Sequence, residues 1–432
     1  MRKLEVDDFV TALRSAAPYV HSHRGARFVI AVPGEAAACA GFTELLYDIA
    51  LLHSMGAQIV LVHGARPQIE ETLSQSDIST EISHGTRITS HEALQAIKGA
   101  VGSLRIDIEA LLSTSLANTP MGGAKLRVDT GNLVIAKPVG VRNGIDHQFT
   151  GEVRRIDAER IAQALQADSL VLVSPLGYSP TGEVFNLRYE EVAASIALSM
   201  GARKLVYVMP GLTAAGQYSP DQAVAAFPAN AVVQRAANAC RDGISRVHLI
   251  NSEQDGSLLR ELYSRDGAGM LIFRDDYEVT RQACIDDVGG ILALIAPLEE
   301  EGALVQRSRE QLELEIDRFH IMTRDNTAIA CGALYPMAED GYAELACLAV
   351  HPDYRGQGRA EAVLKHVEQQ ARAHSIQQLF VLTTQAHHWF TERGFRDADI
   401  DSLPLSRREM YNYQRNSRVL IKSLAGSDSK PL

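Results

Sequence analysis

The sequence is poor in cysteine and has no excess of positive charge. Its five cysteines are scattered over 432 residues without a C-x-x-C pair, so neither a disulfide framework nor a cysteine zinc site is indicated. With 42 Lys and Arg against 53 Asp and Glu, the formal net charge of −11 provides no field that attracts nucleic acid or an anionic membrane. These absences predict a protein without a bound metal and without a nucleic-acid or membrane partner.

Long apolar runs are also missing. No segment approaches the length needed to span a bilayer, and "MRKLEVDDFVTALRSAAPYV" carries acidic residues where a secretory signal needs an apolar core. Unpaired cysteines suit a reducing compartment. We therefore expect a soluble protein of the cytoplasm.

The chain has two parts of different pattern. Over residues 27–274, short apolar runs such as "RFVIAV" and "KLVYVMPG" alternate with helical stretches. Strands this uniformly apolar are buried on both faces, which predicts a three-layer αβα sandwich around a parallel-rich sheet. Afterwards two helices, a run of strands, a long helix and another strand predict a smaller α+β domain. We place the boundary in "FRDDYEVTRQA", which gives domains 1–276 and 277–432.

A glycine turn joins the strand "YAELACLAV" to the long helix of the second part. Gly356 and Gly358 let the backbone approach a ligand, Arg355 and Arg359 add positive charge, and the helix N-terminus presents free N–H groups. This combination predicts a pyrophosphate site, with a plain glycine-rich turn as the alternative. A Walker A loop is excluded because no G-K-[ST] occurs.

The same turn resembles the acetyl-CoA loop of GNAT-type N-acetyltransferases, whose R-x-x-G-x-A form is matched by Arg355, Gly358 and Ala360, and "HHWFTERGF" resembles a later block of that family. The resemblance implies an acetyl-CoA site. The residues expected there are Leu348 and Val350, through their backbone, and Arg355, Gly356, Gly358, Arg359 and Ala360. Many members place a tyrosine general acid where this chain has Phe390, so another proton donor is needed.

The first part resembles the amino-acid kinase fold, most closely acetylglutamate kinase, in "LVHGARPQIEETL", "FTGEVRRID" and "SPLGYSPTGEVFNLRYEE". Phosphoryl transfer depends on positive charge and glycine main chain around the moving group. The positions altered from the kinase pattern are Ala31, Pro33, Ala65, Arg66 and Glu190, and Lys204 alone is retained. We therefore predict a catalytically inactive, regulatory domain, with retained acetylglutamate kinase activity as the alternative.

Together the two parts resemble the family of bacterial N-acetylglutamate synthases, in which a kinase-like domain precedes a GNAT-type domain. The resemblance implies transfer of acetyl from acetyl-CoA to the α-amino group of L-glutamate, the first step of L-arginine biosynthesis, with feedback inhibition by L-arginine. It also implies a homo-oligomer, a hexamer, with contacts through the N-terminal helix. A non-catalytic arginine sensor that only binds acetyl-CoA is the rival from another class.

An arginine site is implied by resemblance to arginine-sensitive acetylglutamate kinases. "APYV" supplies Tyr19, and the segment from "RVHLIN" to "LRELYSRDG" supplies His248, Glu261 and Gly267. A carboxylate suits the forked donor of a guanidinium. Alternatively, Glu261 is a solvated helix residue and His248 a core histidine.

The acetyl acceptor must lose a proton and the departing thiolate must gain one. By the same resemblance Glu344 is the general base and Thr383 the proton donor. Partial burial would have to raise the pKa of Glu344, and an edge-strand charge is the alternative interpretation. Two cations, Arg307 and Arg415, match positions that bind the carboxylates of glutamate.

Several nearby residues are not assigned a catalytic or metal-binding role. Cys347 is counted with the substrate-binding positions, but an acetyl-thiol route through it is disfavoured because apolar neighbours raise a thiol pKa, so we favour packing. Arg309 and Arg418 are expected to be surface charges. His387 and His388 have no acidic or cysteine companions at ligand spacing, so no metal is expected there.

Overall fold

A computed structural model describes the chain in eight stretches: residues 6–83, 85–114, 121–264, 267–274, 278–324, 327–337, 341–356 and 358–424. The chain divides into two compact units, Met1–Asp275 and Asp276–Leu432. The boundary predicted between residues 276 and 277 lies outside the described residues.

The first unit alternates strands and helices along the chain. Its helices are α1 (Val6–His23), α2 (Gly34–Ala37), α3 (Phe42–Ser54), α4 (Arg66–Gln75), α5 (His91–Leu112), α6 (Ala158–Gln166), α7 (Tyr189–Ser199), α8 (Pro220–Ala226), α9 (Ala231–Asp242) and α10 (Ser257–Tyr263). Its strands are β1 (Arg27–Val32), β2 (Gln58–His63), β3 (Ile82–Ser83), β4 (Thr86–Arg87), β5 (Arg127–Asp129), β6 (Val134–Pro138), β7 (Val141–Arg142), β8 (Ile145–Asp146), β9 (Gly151–Ile156), β10 (Ser169–Val173), β11 (Leu176–Tyr178), β12 (Val184–Asn186), β13 (Lys204–Met209), β14 (Gly216–Tyr218), β15 (Arg246–Asn251) and β16 (Met270–Phe273).

Among the described residues, the main sheet of this unit has eight strands in the order β14-β16-β15-β13-β1-β2-β10-β5. Its central strands are parallel, and β16 runs antiparallel to β15. Along β1, Phe28 and Ile30 enter one hydrophobic cluster while Val29 and Ala31 enter the cluster on the opposite face. Because both faces are buried under helices, the strands are apolar throughout, and the predicted αβα sandwich is confirmed.

The second unit is built on an antiparallel sheet. Its helices are α11 (Val288–Glu300), α12 (Arg309–Leu314), α13 (Arg359–Ala373), α14 (His387–Thr391) and α15 (Leu405–Glu409). Its strands are β17 (Glu278–Gln282), β18 (Phe319–Arg324), β19 (Thr327–Met337), β20 (Tyr342–Val350), β21 (Gln378–Thr383), β22 (Arg396–Ala398) and β23 (Arg418–Ser423).

In the described part of this unit the strand order is β17-β18-β19-β20-β21-β23-β22, and β20 with β21 is the parallel pair. One hydrophobic cluster lies between the sheet and α13, and a second lies between the opposite face and α11. The α+β prediction is confirmed. Within the described ranges, none of the helices combines the length and hydropathy that a membrane span requires.

Candidate active site and candidate effector site

Strand β20 changes its facing pattern at a bulge. The register with β19 shifts there, and Cys347 has a left-handed φ of 52°. Leu345 faces the α13 cluster before the bulge, whereas Leu348 and Val350 face it afterwards and Cys347 joins the opposite cluster. Since neighbouring strand residues alternate, Glu344 lies on the same face as Cys347. The bulge therefore sends the predicted acceptor residues to one face and the predicted cofactor residues to the other.

Strands β20 and β21 separate next to this bulge. Their parallel pairing runs from Tyr342 with Gln378 to Glu344 with Phe380 and is not continued in the described residues. Both strands extend further, β20 to Val350 and β21 to Thr383. Glu344 thus stands where the two strands part, at a gap through which groups on the two faces can meet.

A cavity of about 550 Å³ lies beside the end of β20, between the start of α13 and α14. It is lined by all seven residues predicted for the cofactor: Leu348, Val350, Arg355, Gly356, Gly358, Arg359 and Ala360. Phe390 also lines it and packs edge-on against Phe395 in the core. The seven residues are therefore brought together, although their contact with acetyl-CoA stays a prediction.

The two glycines of the turn are required by backbone conformation. Gly356 and Gly358 have φ values of +79° and +76°, and a Cβ added to either would meet no atom within 4 Å. A left-handed φ strains any residue that carries a Cβ. Gly358 is the N-cap of α13 and provides no side-chain cap, so first-turn N–H groups stay available to an anion.

The role predicted for the Arg359 side chain is corrected by its contacts. Its guanidinium is buried and pairs with Glu278, with nitrogen–oxygen distances of 2.6 to 2.9 Å. A further N–H donates to the Tyr354 carbonyl at 3.0 Å. Because this charge is neutralised inside the protein, the exposed Arg355 is the better cation for a phosphate.

The carboxylate of Glu344 is held by an arginine that the sequence analysis did not single out. Arg407 Nε donates to one oxygen at 2.6 Å and Nη2 to the other at 3.0 Å. The Glu344 side chain is 13% exposed. The alternative of an edge-strand charge is therefore wrong, because β20 pairs with β19 on one side and with β21 on the other and Glu344 is largely buried. A signal was present in "LPLSRREMYN", a basic pair just before the segment of Arg415.

Arg307 lies near Cys347 and Tyr335. Burial opposes its charge, but Cys347, Tyr335 and Glu315 outweigh burial and raise the pKa of Arg307 above its ordinary value. The Tyr335 hydroxyl donates to Glu315 at 2.7 Å. Arg307 is thus a permanent cation on the face of the sheet that carries Cys347, and its predicted contact with the substrate stays a prediction. Tyr335 is a polar neighbour that no motif in the sequence marks.

Arg415 is engaged with main-chain oxygens. Its Nη2 donates to the carbonyls of Gly302 and Ala303 at 3.1 and 2.8 Å, so it fixes the loop between α11 and Arg307. Its predicted contact with substrate stays untested. Arg309 is 74% exposed and pairs with Glu313 in its own helix, which agrees with a surface charge.

Cys347 and Thr383 differ in what they can do with a proton. Burial, the largest effect, raises the pKa of Cys347 to about 12, so this thiol is protonated at neutral pH and a poor nucleophile.

Thr383 Oγ1 accepts from the backbone N–H of Ala386 at 2.9 Å. Its own hydrogen stays available to donate. Leu379 and Val381 face the α13 cluster, so alternation puts Thr383 on the cofactor face.

A second constellation occupies the first unit. His248 Nδ1 lies 2.6 Å from Glu261 Oε1, and Glu261 Oε2 accepts from Ala268 N–H at 2.7 Å and Gly269 N–H at 2.9 Å. Gly267 has φ +68°, and a Cβ there would lie 2.6 Å from Glu261 Oε2. Three of the four residues predicted for arginine are therefore close together, and Glu261 is buried rather than solvated.

The protonation of this pair follows from its surroundings. Burial, reinforced by Lys204, lowers the pKa of His248. Burial alone would raise the pKa of Glu261, but the hydrogen bonds from His248, Ala268 and Gly269 outweigh it and hold that pKa below its ordinary value. A neutral His248 thus donates from Nδ1 to a carboxylate. Its buried Nε2 has no partner among the described polar atoms.

Lys204 lies near this constellation, and Tyr19 is connected to it only through neighbouring aromatic rings. Tyr19 is on α1, one turn before His23, whose ring packs edge-on against Tyr263 of α10, the helix that carries Glu261. Lys204 is buried at the first residue of β13, and its charge acts on His248. The interpretation of Lys204 as a remnant of kinase chemistry is therefore corrected, since the kinase-like cavity is at the other end of this strand.

That cavity, of about 610 Å³, is lined at β13 by Val208 and Met209 and elsewhere by Pro33, Gly64 and Arg66. Lys204 does not line it. At about 3.3 Å per strand residue, Lys204 lies roughly 16 Å from Met209 along β13. Of the described residues, no His, Cys, Asp and Glu group of three or more is arranged to hold a metal ion.

Comparison with known proteins agrees with this architecture. The model of the amino acid kinase family matches residues 26–210, and that of the acetyltransferase (GNAT) family matches residues 290–395. The fold and the cavity beside β20 thus define an acyltransferase domain preceded by a kinase-like domain.

Amino-acid acetyltransferases from Pseudomonas fluorescens (strain Pf0-1) and Pseudomonas putida (strain GB-1) are each 46% identical to this chain over 430 residues. The alignments cover 96% of this chain and 100% of each relative. The chain belongs to the amino-acid acetyltransferase family and is an enzyme of that class.

Solved structures give the same result. The N-acetylglutamate synthase of Neisseria gonorrhoeae, complexed with coenzyme A and L-arginine, is 34% identical and superimposes with a TM-score of 0.88, covering 97% of this chain and all of the other. The same enzyme complexed with coenzyme A and N-acetyl-glutamate is 35% identical, with a TM-score of 0.60 and the same coverage. The predicted pairing of a kinase-like domain with a GNAT domain is confirmed.

Proposed function

We propose that this enzyme transfers the acetyl group of acetyl-CoA to the α-amino group of L-glutamate. The observation that carries the proposal is the position of Glu344, a carboxylate at the gap where β20 and β21 separate, opposite the cavity lined by the acetyl-CoA loop. The gonorrhoeal enzyme, with its bound coenzyme A and N-acetyl-glutamate, supports the choice of donor and acceptor.

Different residues bind the two substrates, acetyl-CoA and L-glutamate. The uncapped first turn of α13 and the exposed Arg355 suit the anionic phosphates of acetyl-CoA. Leu348 and Val350, freed from pairing with β21, offer main-chain groups to the extended arm of the donor. Arg307 supplies a cation for a carboxylate of the acceptor, and Arg415 fixes the loop that precedes Arg307.

Proton movement needs one acceptor and one donor. The glutamate amine must lose a proton before or while it attacks the thioester carbonyl, and Glu344 is the carboxylate placed at that gap. The C–N bond forms as the C–S bond breaks, and the thiolate must then be protonated. The Thr383 hydroxyl, on the cofactor face, donates a hydrogen bond to the thiolate and relays a proton that it regains from water, which Phe390 cannot do.

We propose that the His248–Glu261 constellation binds L-arginine as an inhibitor. Glu261 is an anionic partner for the guanidinium, and the cation Lys204 suits the carboxylate of the amino acid. The unpartnered Nε2 of His248 supports a ligand here, because a buried polar atom without a hydrogen bond costs free energy that a ligand would relieve. The gonorrhoeal enzyme with bound L-arginine supports the identity of the effector.

Assembly and location stay predictions. A homo-oligomer, with six copies by family resemblance, would cover Phe9 and Leu13 of α1, which are 56% and 58% exposed. Exposed apolar side chains at this spacing on one helix suit a contact between subunits. A cytoplasmic location suits five free cysteines. Dynamic light scattering of Phe9→Glu against wild type tests the assembly.

The function is tested by following release of the CoA thiol from acetyl-CoA with L-glutamate, comparing wild type with Glu344→Gln. We expect glutamate-dependent release in wild type and a loss of roughly 100-fold or more in the variant, the usual contribution of a general base. Equal rates in both would remove Glu344 from the mechanism. Phosphorylation of N-acetyl-L-glutamate by ATP would instead support the kinase alternative, and acetyl-CoA binding without turnover would support the sensor.

A further inference from the structure

Two residues that line the cavity beside β20 belong to the opposite face of the sheet. Most of the lining comes from the end of β20, the glycine turn, the start of α13 and the region of α14. Leu298 of α11 and Ala349 of β20 also line the cavity, and both pack in the hydrophobic cluster between the sheet and α11. The cavity therefore reaches past the plane of the sheet to the α11 face.

An opening in the sheet lies at the same place. In the described residues the pairing of β20 with β21 ends at Glu344, whereas the pairing of β20 with β19 continues to Val350. Burial raises the pKa of Cys347 at the bulge, and Glu299, the residue after Leu298, is one of the charges that add to this effect. The end of α11 thus lies beside the opening through which a thioester in the cavity can meet an amine on the α11 face.

The end of α11 is fixed by main-chain contacts. The carbonyl of Leu298 accepts from the N–H of Leu304 at 2.9 Å, and the carboxylate of Glu299 accepts from the N–H of Arg307 at 3.0 Å. Pro297 stands just before Leu298 in the last turn of the helix, and its ring fixes the backbone φ there. The side chain of Leu298 is therefore a wall that the surrounding backbone holds in position.

The cavity offers different chemistry on the two faces of the sheet. On the α13 face, the exposed Arg355 and the free N–H groups at the start of α13 suit the phosphates of the donor. On the α11 face, the lining is apolar and consists of Leu298 and Ala349. Because the thioester must reach the amine at the opening, a donor with its phosphates at the glycine turn directs its acyl group towards Leu298.

We propose that Leu298 sets the length of the acyl group: its side chain closes the acyl end of the cavity, leaves room for the methyl group of acetyl-CoA and excludes propionyl and butyryl chains. This proposal rests on the proposed function. One methylene in an apolar pocket changes kcat/KM roughly 10- to 200-fold. Leu298 is a specificity determinant and takes no part in proton movement, because its side chain has no polar atom.

The test measures kcat/KM for acetyl-CoA, propionyl-CoA and butyryl-CoA with L-glutamate as acceptor, in wild type, Leu298→Ala and Leu298→Val. In wild type we expect each added methylene to lower kcat/KM roughly 10-fold or more. In Leu298→Ala the ratio of kcat/KM for propionyl-CoA to that for acetyl-CoA should rise roughly 10-fold or more, and in Leu298→Val it should rise less. The ratio is taken within one preparation, so a loss of folded enzyme cancels from it.

Leu294→Ala is the matched control. Leu294 lies one turn before Leu298 on α11, is 5% exposed within the same cluster, and is absent from the described residues that line the cavity. Its replacement by alanine removes the same atoms from the same helix. We therefore expect Leu294→Ala to lower stability and to keep the wild-type ratio of propionyl-CoA to acetyl-CoA.

The outcomes separate this proposal from the proposed function. A wild-type ratio in both Leu298 variants, with glutamate acetylated, would overturn the role of Leu298 and leave the proposed function intact. A rise of equal size in Leu294→Ala, or equal kcat/KM for all three donors in wild type, would overturn that role as well. If Leu298→Ala unfolds at the assay temperature, Leu298→Val decides, because it removes less volume. No CoA release with glutamate from any donor in wild type would overturn the proposed function, and this proposal with it.

Discussion

Replacing Glu261 by glutamine should separate inhibition by arginine from catalysis. The substitution keeps the size of the side chain and removes its charge. Glu261 accepts hydrogen bonds from His248, Ala268 and Gly269 at 2.6, 2.7 and 2.9 Å. The amide oxygen can keep the two main-chain bonds, while its NH₂ faces His248 Nδ1, which then has to become the acceptor. The fold is therefore expected to survive with a different tautomer of His248.

The size of the effect follows from these contacts. A hydrogen bond to a charged group is worth about 1.5–3 kcal/mol against about 0.5–1.5 kcal/mol for a neutral one, so the free energy of unfolding should fall by about 2–3 kcal/mol at neutral pH. Loss of the guanidinium partner should raise the inhibitory concentration of arginine roughly 10- to 150-fold. Activity without arginine should stay within about twofold of wild type at a temperature where both are folded, because Glu261 belongs to the other unit.

The pH dependence gives an independent check. The pKa of Glu261 is lower in the folded protein than its ordinary value of 4.5. A lowered carboxyl pKa stabilises the fold at pH values above the unfolded pKa, and that stabilisation disappears as the pH falls through the folded pKa. The difference in unfolding free energy between wild type and Glu261→Gln should therefore be full at pH 7 and shrink below about pH 4.5.

The assay combines arginine inhibition curves with urea denaturation, and Glu253→Gln serves as an exposed control for the same chemical change. Wild-type inhibition in Glu261→Gln would refute the assignment of this carboxylate to the arginine site, even if the variant is less stable. Reduced stability alone would show that Glu261 only supports the turn at Ala268 and Gly269.

Three further outcomes are expected. Thr383→Val should lower kcat roughly 10- to 100-fold, whereas Thr383→Ser should keep kcat near the wild-type value. Of the two, only serine preserves both the donated hydrogen and the hydrogen bond from Ala386 N–H. An equal loss of kcat in both variants would exclude the hydroxyl as proton donor. Cys347→Ala should keep kcat within a few-fold, and wild-type enzyme should form no acetylated Cys347 by mass spectrometry, because burial keeps the thiol protonated. An acetyl-thiol trapped in wild type would contradict this. Burial and His366 lower the pKa of His320 to about 4 from 6.5, so at intermediate pH the folded protein binds fewer protons than the unfolded chain. The free energy of unfolding should therefore fall by up to about 3 kcal/mol as the pH drops from 6.5 to 4. Urea denaturation of His320→Gln should show a smaller loss over the same pH range.

The architecture could be predicted because its signals are local. Uniformly apolar strands such as "RFVIAV" and "KLVYVMPG" predicted a sheet buried on both faces, and β1 and β13 are its adjacent central strands. The glycine turn at Gly356 and Gly358 predicted a ligand loop, and both residues have the left-handed φ that requires glycine. Residue types and spacing carry this information, because backbone conformation limits which residues can stand at such positions.

The pairing of distant charges could not be read in the same way. Arg359 was expected to serve a phosphate, yet it pairs with Glu278, which is 81 positions away. Arg407 reaches Glu344 across 63 positions, and Lys204 was assigned to a kinase remnant although it lies at the end of β13 beside His248. A charge in a sequence shows its sign but not its partner, and the partner is set by the packing of elements far apart in the chain.

The most direct test of the account is the fate of ¹⁵N-labelled L-glutamate incubated with acetyl-CoA and the wild-type enzyme, with and without L-arginine. The account predicts one mole of CoA thiol released per mole of product acetylated on the α-nitrogen, with both signals suppressed together by arginine. CoA release without an acetylated α-nitrogen, or acetylation of other amines in preference to glutamate, would contradict it.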